Sequence, residues 1–206
     1  MDEFATEEQQ EEAIKRFLKE NGVAIIAGAV IGIGGLWGWQ TYTDSQINGK
    51  EAASIQYQKA VETAVSDDSI DALATFTAES ENKGYTAISS LVLAKEYVDA
   101  ANLDSAADVL ENVVVSEEGT PLGSIAAIRL AAIQMEQEKY DAVLSTVERI
   151  TGEAFLSQSL SLKGDALSAL TRVDEAKSAY IAALEKSPEN QQVQMKLDNL
   201  ELNTGA

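Results

Sequence analysis

Residues 23 to 39 read Val-Ala-Ile-Ile-Ala-Gly-Ala-Val-Ile-Gly-Ile-Gly-Gly-Leu-Trp-Gly-Trp, with no charge and no side-chain amide. A helix of this length is roughly 26 Å long, close to the hydrocarbon thickness of a bilayer. Continuing to Tyr42 gives a full span over residues 23–42. The segment predicts a single membrane anchor, with a charged leader before it and a water-soluble body after it. A cleaved signal peptide is the competing reading. Its best cleavage site, Ala27-Gly28-Ala29, falls in the middle of the apolar run, and the leader is long and acidic, unlike the short basic start of a signal. The anchor is therefore expected to stay uncleaved.

The flanks set an orientation. Residues 1–22 are acidic at the far end and turn basic beside the span, at Lys15, Arg16 and Lys19. Beyond Trp39, Asp44 comes before the next base, Lys50. Lys and Arg near a span favour the cytoplasmic side, so the leader should be cytoplasmic and the body translocated. Ala13, Ile14, Phe17 and Leu18 share one helical face suited to the inner interface, while Trp37, Trp39 and Tyr42 suit the outer one. Within the span, Ala24, Gly28 and Gly32 repeat every fourth residue, a small-residue stripe against which a second membrane helix can pack closely.

The body has the opposite chemistry. Residues 40–206 hold 27 of the 34 acids and 12 of the 15 bases, a net charge of −15. A nucleic-acid surface needs clustered Lys and Arg, so no nucleic-acid partner is expected, and docking of the body on anionic lipid is equally disfavoured. The chain has no Cys and no His, which removes the common nucleophile–base pairs and the nitrogen or sulfur metal sites. There is no P-loop. Ser80-x-x-Lys83 resembles a penicillin-recognition element, but its companion motifs are missing. Glu117-Glu118, Glu136 and Glu138 read as solvated charges, with no EF-hand loop to align. No catalytic residue, cofactor or metal is expected, and the chain is not expected to be an enzyme.

Abundant alanine and only two prolines favour helix, and one spacing recurs. Leu160, Leu162, Gly164 and Leu167 mark a helix, and Ala176, Tyr180, Ala183 and Pro188 a second. Two small residues at this separation, then A-x3-aromatic and a later Pro, form the tetratricopeptide pattern of about 34 residues. Thirty-three residues earlier, Leu130, Ala131, Val143, Val147 and Ile150 repeat it, and another 37 earlier so do Leu93, Ala94, Tyr97, Ala106, Leu110 and Val113. Val193, Leu197 and Leu200 give a closing helix. Residues 43–84 read as a connecting helix and a degenerate first helix pair, with Ser66-Asp67-Asp68-Ser69 offering an N-cap. Asn48-Gly49 leaves open whether that connecting helix continues the span. Residues 85–202 read as three repeats and a cap. The expected fold is all-α: one transmembrane helix followed by an α-solenoid.

Stacked helix pairs present a concave face lined by their first helices. In this register that face should carry Ile88, Leu91, Lys95, Val98, Ile125, Ile128, Arg129 and Met135. Apolar side chains with a flexible Met and two bases suit an extended or helical protein segment. Lys95 and Arg129 without a suitable Asn do not make a clamp for a chain-terminal carboxylate.

Ala13-Ile-Lys-Arg-Phe-Leu-Lys-Glu-Asn-Gly, the Gly-rich span ending in Gly-Trp-Gln, and Ala53-Ser-Ile-Gln-Tyr-Gln-Lys-Ala-Val resemble the bacterial YfgM family along nearly the whole chain. The resemblance implies a gammaproteobacterial inner-membrane protein with a periplasmic body, ancillary to the SecYEG translocon. It further implies association with a PpiD-type periplasmic chaperone and contact with nascent secretory proteins, the lipid bilayer being reached through the anchor. It supplies no catalytic residue. A scaffold for envelope or outer-membrane protein assembly, or a regulator of an envelope-stress response, is the alternative.

Overall fold

The computed structural model describes residues 7–66 and 70–204, with side chains over 10–66 and 70–202. These residues form nine helices: α1 (Glu7–Ser66), α2 (Asp71–Glu79), α3 (Lys83–Asp99), α4 (Leu103–Ser116), α5 (Pro121–Glu136), α6 (Tyr140–Val147), α7 (Glu153–Ala169), α8 (Val173–Lys186) and α9 (Gln191–Thr204). No strand occurs among the described residues. The chain divides into two compact units, Met1–Ala52 and Ala53–Ala206.

In the first unit α1 turns its apolar side chains outward. Val23, Ile26, Val30, Ile31, Ile33 and Leu36 are all exposed, a surface that only lipid or another apolar helix accommodates without cost. Among the described residues α1 is the one helix long and apolar enough to cross a membrane. It passes Asn48-Gly49 without a break, which answers the question left open by the sequence. Asn lacks a backbone defect and one Gly costs a helix only about 1 kcal/mol.

The second unit opens on the last turns of α1. Tyr57, Ala60, Val61 and Ala64 pack with Leu73 and Phe76 of α2 and Leu93 of α3, and the Tyr57 ring lies 6.0 Å from Phe76 and 5.8 Å from Tyr85. The expected Ser or Asp cap of α2 is not found. Ile70 occupies its N-cap position without a side-chain bond, while Asp67, Asp68 and Ser69 lie outside the described residues. From α2 to α9 each helix packs on the next, and α5 also meets α7. The first helices of the three repeats are thus α3, α5 and α7, and the second helices are α4, α6 and α8. One core runs through the first two repeats around Ala94, Leu110, Leu130, Ala131, Val143 and Val147. A second joins Leu167, Ala176 and Tyr180 to Val193, Leu197 and Leu200 of the closing helix.

The repeat is visible in the backbone itself. The turns leading into α4, α6 and α8 each place a non-glycine residue in the left-handed region: Ala101 (φ 57°), Glu138 (φ 58°) and Thr171 (φ 59°). In each turn the next N–H reaches back five residues, Asn102 to Tyr97, Lys139 to Gln134 and Arg172 to Leu167, each at 2.8 Å to the carbonyl. This Schellman-type closure satisfies a carbonyl that the helix end would otherwise leave bare. Asn82, Asn102 and Thr120 cap α3, α4 and α5 by accepting from Tyr85, Ser105 and Gly123 N–H.

Two glycines bring helices together. A Cβ on Gly164 would stand 2.5 Å from the Tyr180 ring, so α7 and α8 approach at the small residue the repeat pattern requires. A Cβ on Gly123 would stand 2.2 Å from the Glu117 carbonyl oxygen, which makes α5 start tight against the end of α4.

Candidate protein-binding surface

The repeat step carries four positions of the first helices into register. Ile88, Ile125 and Gln158 correspond; so do Leu91, Ile128 and Ser161; Lys95, Ala132 and Asp165; and Val98, Met135 and Ser168. Along this face the chemistry shifts from apolar and basic on α3 and α5 to hydroxyl, amide and carboxylate on α7. Two hollows follow the shift.

The first hollow, about 320 Å³, is lined by Ala94, Lys95 and Val98 of α3, Leu110 of α4, and Arg129, Ala132 and Ile133 of α5. Ala94 and Ala132 are small where neighbouring turns carry larger side chains, and this leaves the space open. Lys95 Nζ is held by Asp99 at 2.6 Å and Glu96 at 3.1 Å; the Asp99 bond, then that to Glu96, raises its pKa above the ordinary lysine value. Arg129 Nη1 donates to the Leu91 carbonyl at 3.2 Å.

The second hollow, about 460 Å³, lies between α7 and α9 and includes Ser157, Gln158, Ser161, Asn190, Gln192 and Lys196. Its wall is braced by Lys196 Nζ, which donates to Asp165 at 2.6 Å and to Ser161 Oγ at 3.1 Å. Tyr180 Oη donates to the other Asp165 oxygen at 2.8 Å.

Of the eight residues expected on the concave face, Lys95, Val98 and Arg129 come together at the first hollow. Ile88 is exposed on α3, outside that lining. Ile125, Ile128 and Met135 are half-buried against the core. Leu91 is a correction: it is buried in the core and offers only its carbonyl, because its position turns toward α4 and α5. Sequence reading missed Ala132, although it occupies the repeat position of Lys95; an alanine attracts no attention as a ligand, and its contribution is the room it leaves. The polar hollow was missed because its residues come from α7, the end of α8 and the loop after it, and α9.

On α1, Ala24, Gly28 and Gly32 lie at helical spacing, and a Cβ on either glycine would meet nothing within 4 Å. Lys15, Arg16 and Lys19 are exposed on the same helix ahead of the apolar run, with Lys15 Nζ 2.6 Å from Glu11.

Antiparallel helix pairs repeating with small residues at the crossing define a tetratricopeptide repeat-like protein. A family model described as a tetratricopeptide repeat-like domain matches residues 15–202. A protein of Escherichia coli strain K12 named "Ancillary SecYEG translocon subunit" is 36% identical over 98% of this chain and 100% of its own length. Relatives of the same name from Haemophilus influenzae and Neisseria gonorrhoeae are each 29% identical, over 96% and 94% of this chain and 99% and 97% of their own. The chain belongs to this family, the YfgM family of tetratricopeptide repeat-like proteins. Among solved structures, MamA of Desulfovibrio magneticus RS-1 superposes with a TM-score of 0.58 at 15% identity, covering 74% of this chain and 85% of that one. That likeness is one of fold.

Proposed function

We propose that this protein is a single-pass inner-membrane subunit whose helical-repeat body binds protein segments beside the SecYEG translocon. The observation that carries the reading is its end-to-end similarity to relatives named for that association. The exposed apolar helix supplies the membrane attachment, and the hollowed face of α3, α5 and α7 supplies the binding surface. Tethering raises the local concentration of a weak binding site without needing tight affinity.

The finer reading has a periplasmic body that works with a PpiD-type chaperone on nascent secretory proteins. Lys15, Arg16 and Lys19 ahead of the span support that orientation. The role is non-catalytic: a chain without His or Cys and with its acids spread over exposed surfaces fits binding better than group transfer. Protease added to spheroplasts should digest the body and spare the leader; a protected body would overturn the orientation. Photo-crosslinkers at Val98 and Met135 should capture translocon, chaperone or nascent chains. Capture of outer-membrane assembly factors alone would overturn the translocon reading.

A further inference from the structure

The face of α3 and α5 has a chemistry at odds with the rest of the molecule. The chain carries a net charge of −19, yet the residues lining the hollow, Ala94, Val98, Leu110, Ala132 and Ile133 with Lys95 and Arg129, include two bases and no acid. The two bases are not equivalent. Lys95 is neutralised on its own helix by Asp99 and Glu96. The other two arginines of the second unit, Arg149 and Arg172, are each paired with a carboxylate, at 2.7 and 2.6 Å. Arg129 instead gives one N–H to the Leu91 carbonyl, an anchor that holds the guanidinium in the lining of the hollow with no carboxylate paired to it among the described residues.

A guanidinium with no carboxylate partner beside an apolar cavity matches a ligand with an apolar side chain next to a carboxylate. Guanidinium–carboxylate bonds are among the stronger polar contacts and impose a direction. The cavity is large enough for one Leu, Met or Phe side chain, whose burial contributes a further favourable term. The acid must be single, because a body of net charge −15 repels an acid-rich segment. The acid is a side chain rather than a chain terminus, because with Lys95 held by Asp99 and Glu96 the hollow offers one guanidinium and no Asn or second free base to read the backbone amide that precedes a terminal carboxylate.

We propose that this hollow selects an extended polypeptide segment carrying a large apolar residue next to one internal Asp or Glu, with the apolar side chain on Ala132 and Val98 and the carboxylate on Arg129. This rests on the proposed protein-binding role and specifies what is bound. The geometry makes the face of α3 and α5 sequence-selective instead of a general apolar surface.

The test uses the full chain in lipid nanodiscs and fluorescent ten-residue peptides, Gly/Ser-rich around Leu-Glu, Leu-Gln, Leu-Lys or Ala-Glu, amidated at the C-terminus, plus a free-acid peptide ending in Leu. Leu-Glu should bind most tightly. Arg129→Gln should weaken Leu-Glu about tenfold, the scale of one charge-assisted bond, and leave Leu-Gln unchanged. Ala132→Phe, at an exposed position that tolerates bulk, should abolish binding of both. Equal affinity for Leu-Glu and Leu-Gln, or preference for the free-acid peptide, would overturn the selectivity. Tight binding that survives Ala132→Phe but is lost in Gln158→Ala would move recognition to the α7–α9 hollow and overturn this inference while sparing the binding role. No binding by any of these peptides would overturn this inference, and crosslinking at Val98 and Met135 then decides separately whether the binding role stands.

Discussion

Tyr180 shows how one side chain joins packing to electrostatics. Its ring fills the space Gly164 leaves open, while its hydroxyl donates to Asp165, which also accepts from Lys196 of the closing helix. Burial, reinforced by the Asp165 bond, pushes the phenol pKa well above its usual 10.0. A group whose folded pKa is raised holds its proton in the fold. Its contribution is therefore complete below about pH 10 and is lost as pH climbs beyond it. Urea midpoints between pH 8 and 11 should fall less steeply in Tyr180→Phe than in the native chain, and the variant should be about 1 kcal/mol less stable at neutral pH. Thr171 tests the backbone instead. A β-branched residue at φ 59° is strained. Thr171→Gly should gain about 0.5–1 kcal/mol in denaturant titration, the relief of strain outweighing the added freedom of the unfolded glycine.

At the scale of helices, stability depends on close approach at a few small residues and on the closing element. Gly164→Ala drives a methyl into the buried Tyr180 ring, and Gly123→Ala drives one into the Glu117 carbonyl. Each should cost about 1–3 kcal/mol by urea titration, with Gly123→Ala the worse, because backbone yields less than a side chain. Gly84→Ala is the contrast: its new methyl meets only Asn82 Oδ1 at 3.5 Å, and its stability should hold or rise slightly. The closing helix α9 covers the end of the second core with Val193, Leu197 and Leu200. Leu197→Ala should cost about 2–4 kcal/mol and release the α8–α9 region first in hydrogen exchange, since a terminal repeat has a neighbour on one side only.

For the whole molecule, the division after Ala52 predicts separable duties. Residues 53–206 expressed alone should be water-soluble and helical by circular dichroism, while the full chain should resist carbonate extraction from membranes. A fragment that aggregates would mean the anchor contributes to folding as well as address. The anchor, the three-repeat register and the all-helical class were legible in the chain. They rest on what sequence records directly: run length of apolar residues, and small residues recurring at the step of a helix pair. Helix ends were less legible, because the left-handed turn residues are Ala, Glu and Thr instead of the glycine that advertises such turns.

The sequence by itself therefore determined which segments meet lipid, which residues make helix pairs, and where these pairs cross most closely, because each depends on local periodicity and side-chain size. Only the tertiary structure decided what the pairs present to a partner. Leu91 and Val98 are both apolar residues of α3 at positions expected to face outward, yet one is core and the other lines a hollow. Ala132 matters for the volume it does not fill, and Arg129 for the carboxylate it is not paired with. These are properties of the space between helices, set by how α3, α4 and α5 pack and not by any one residue.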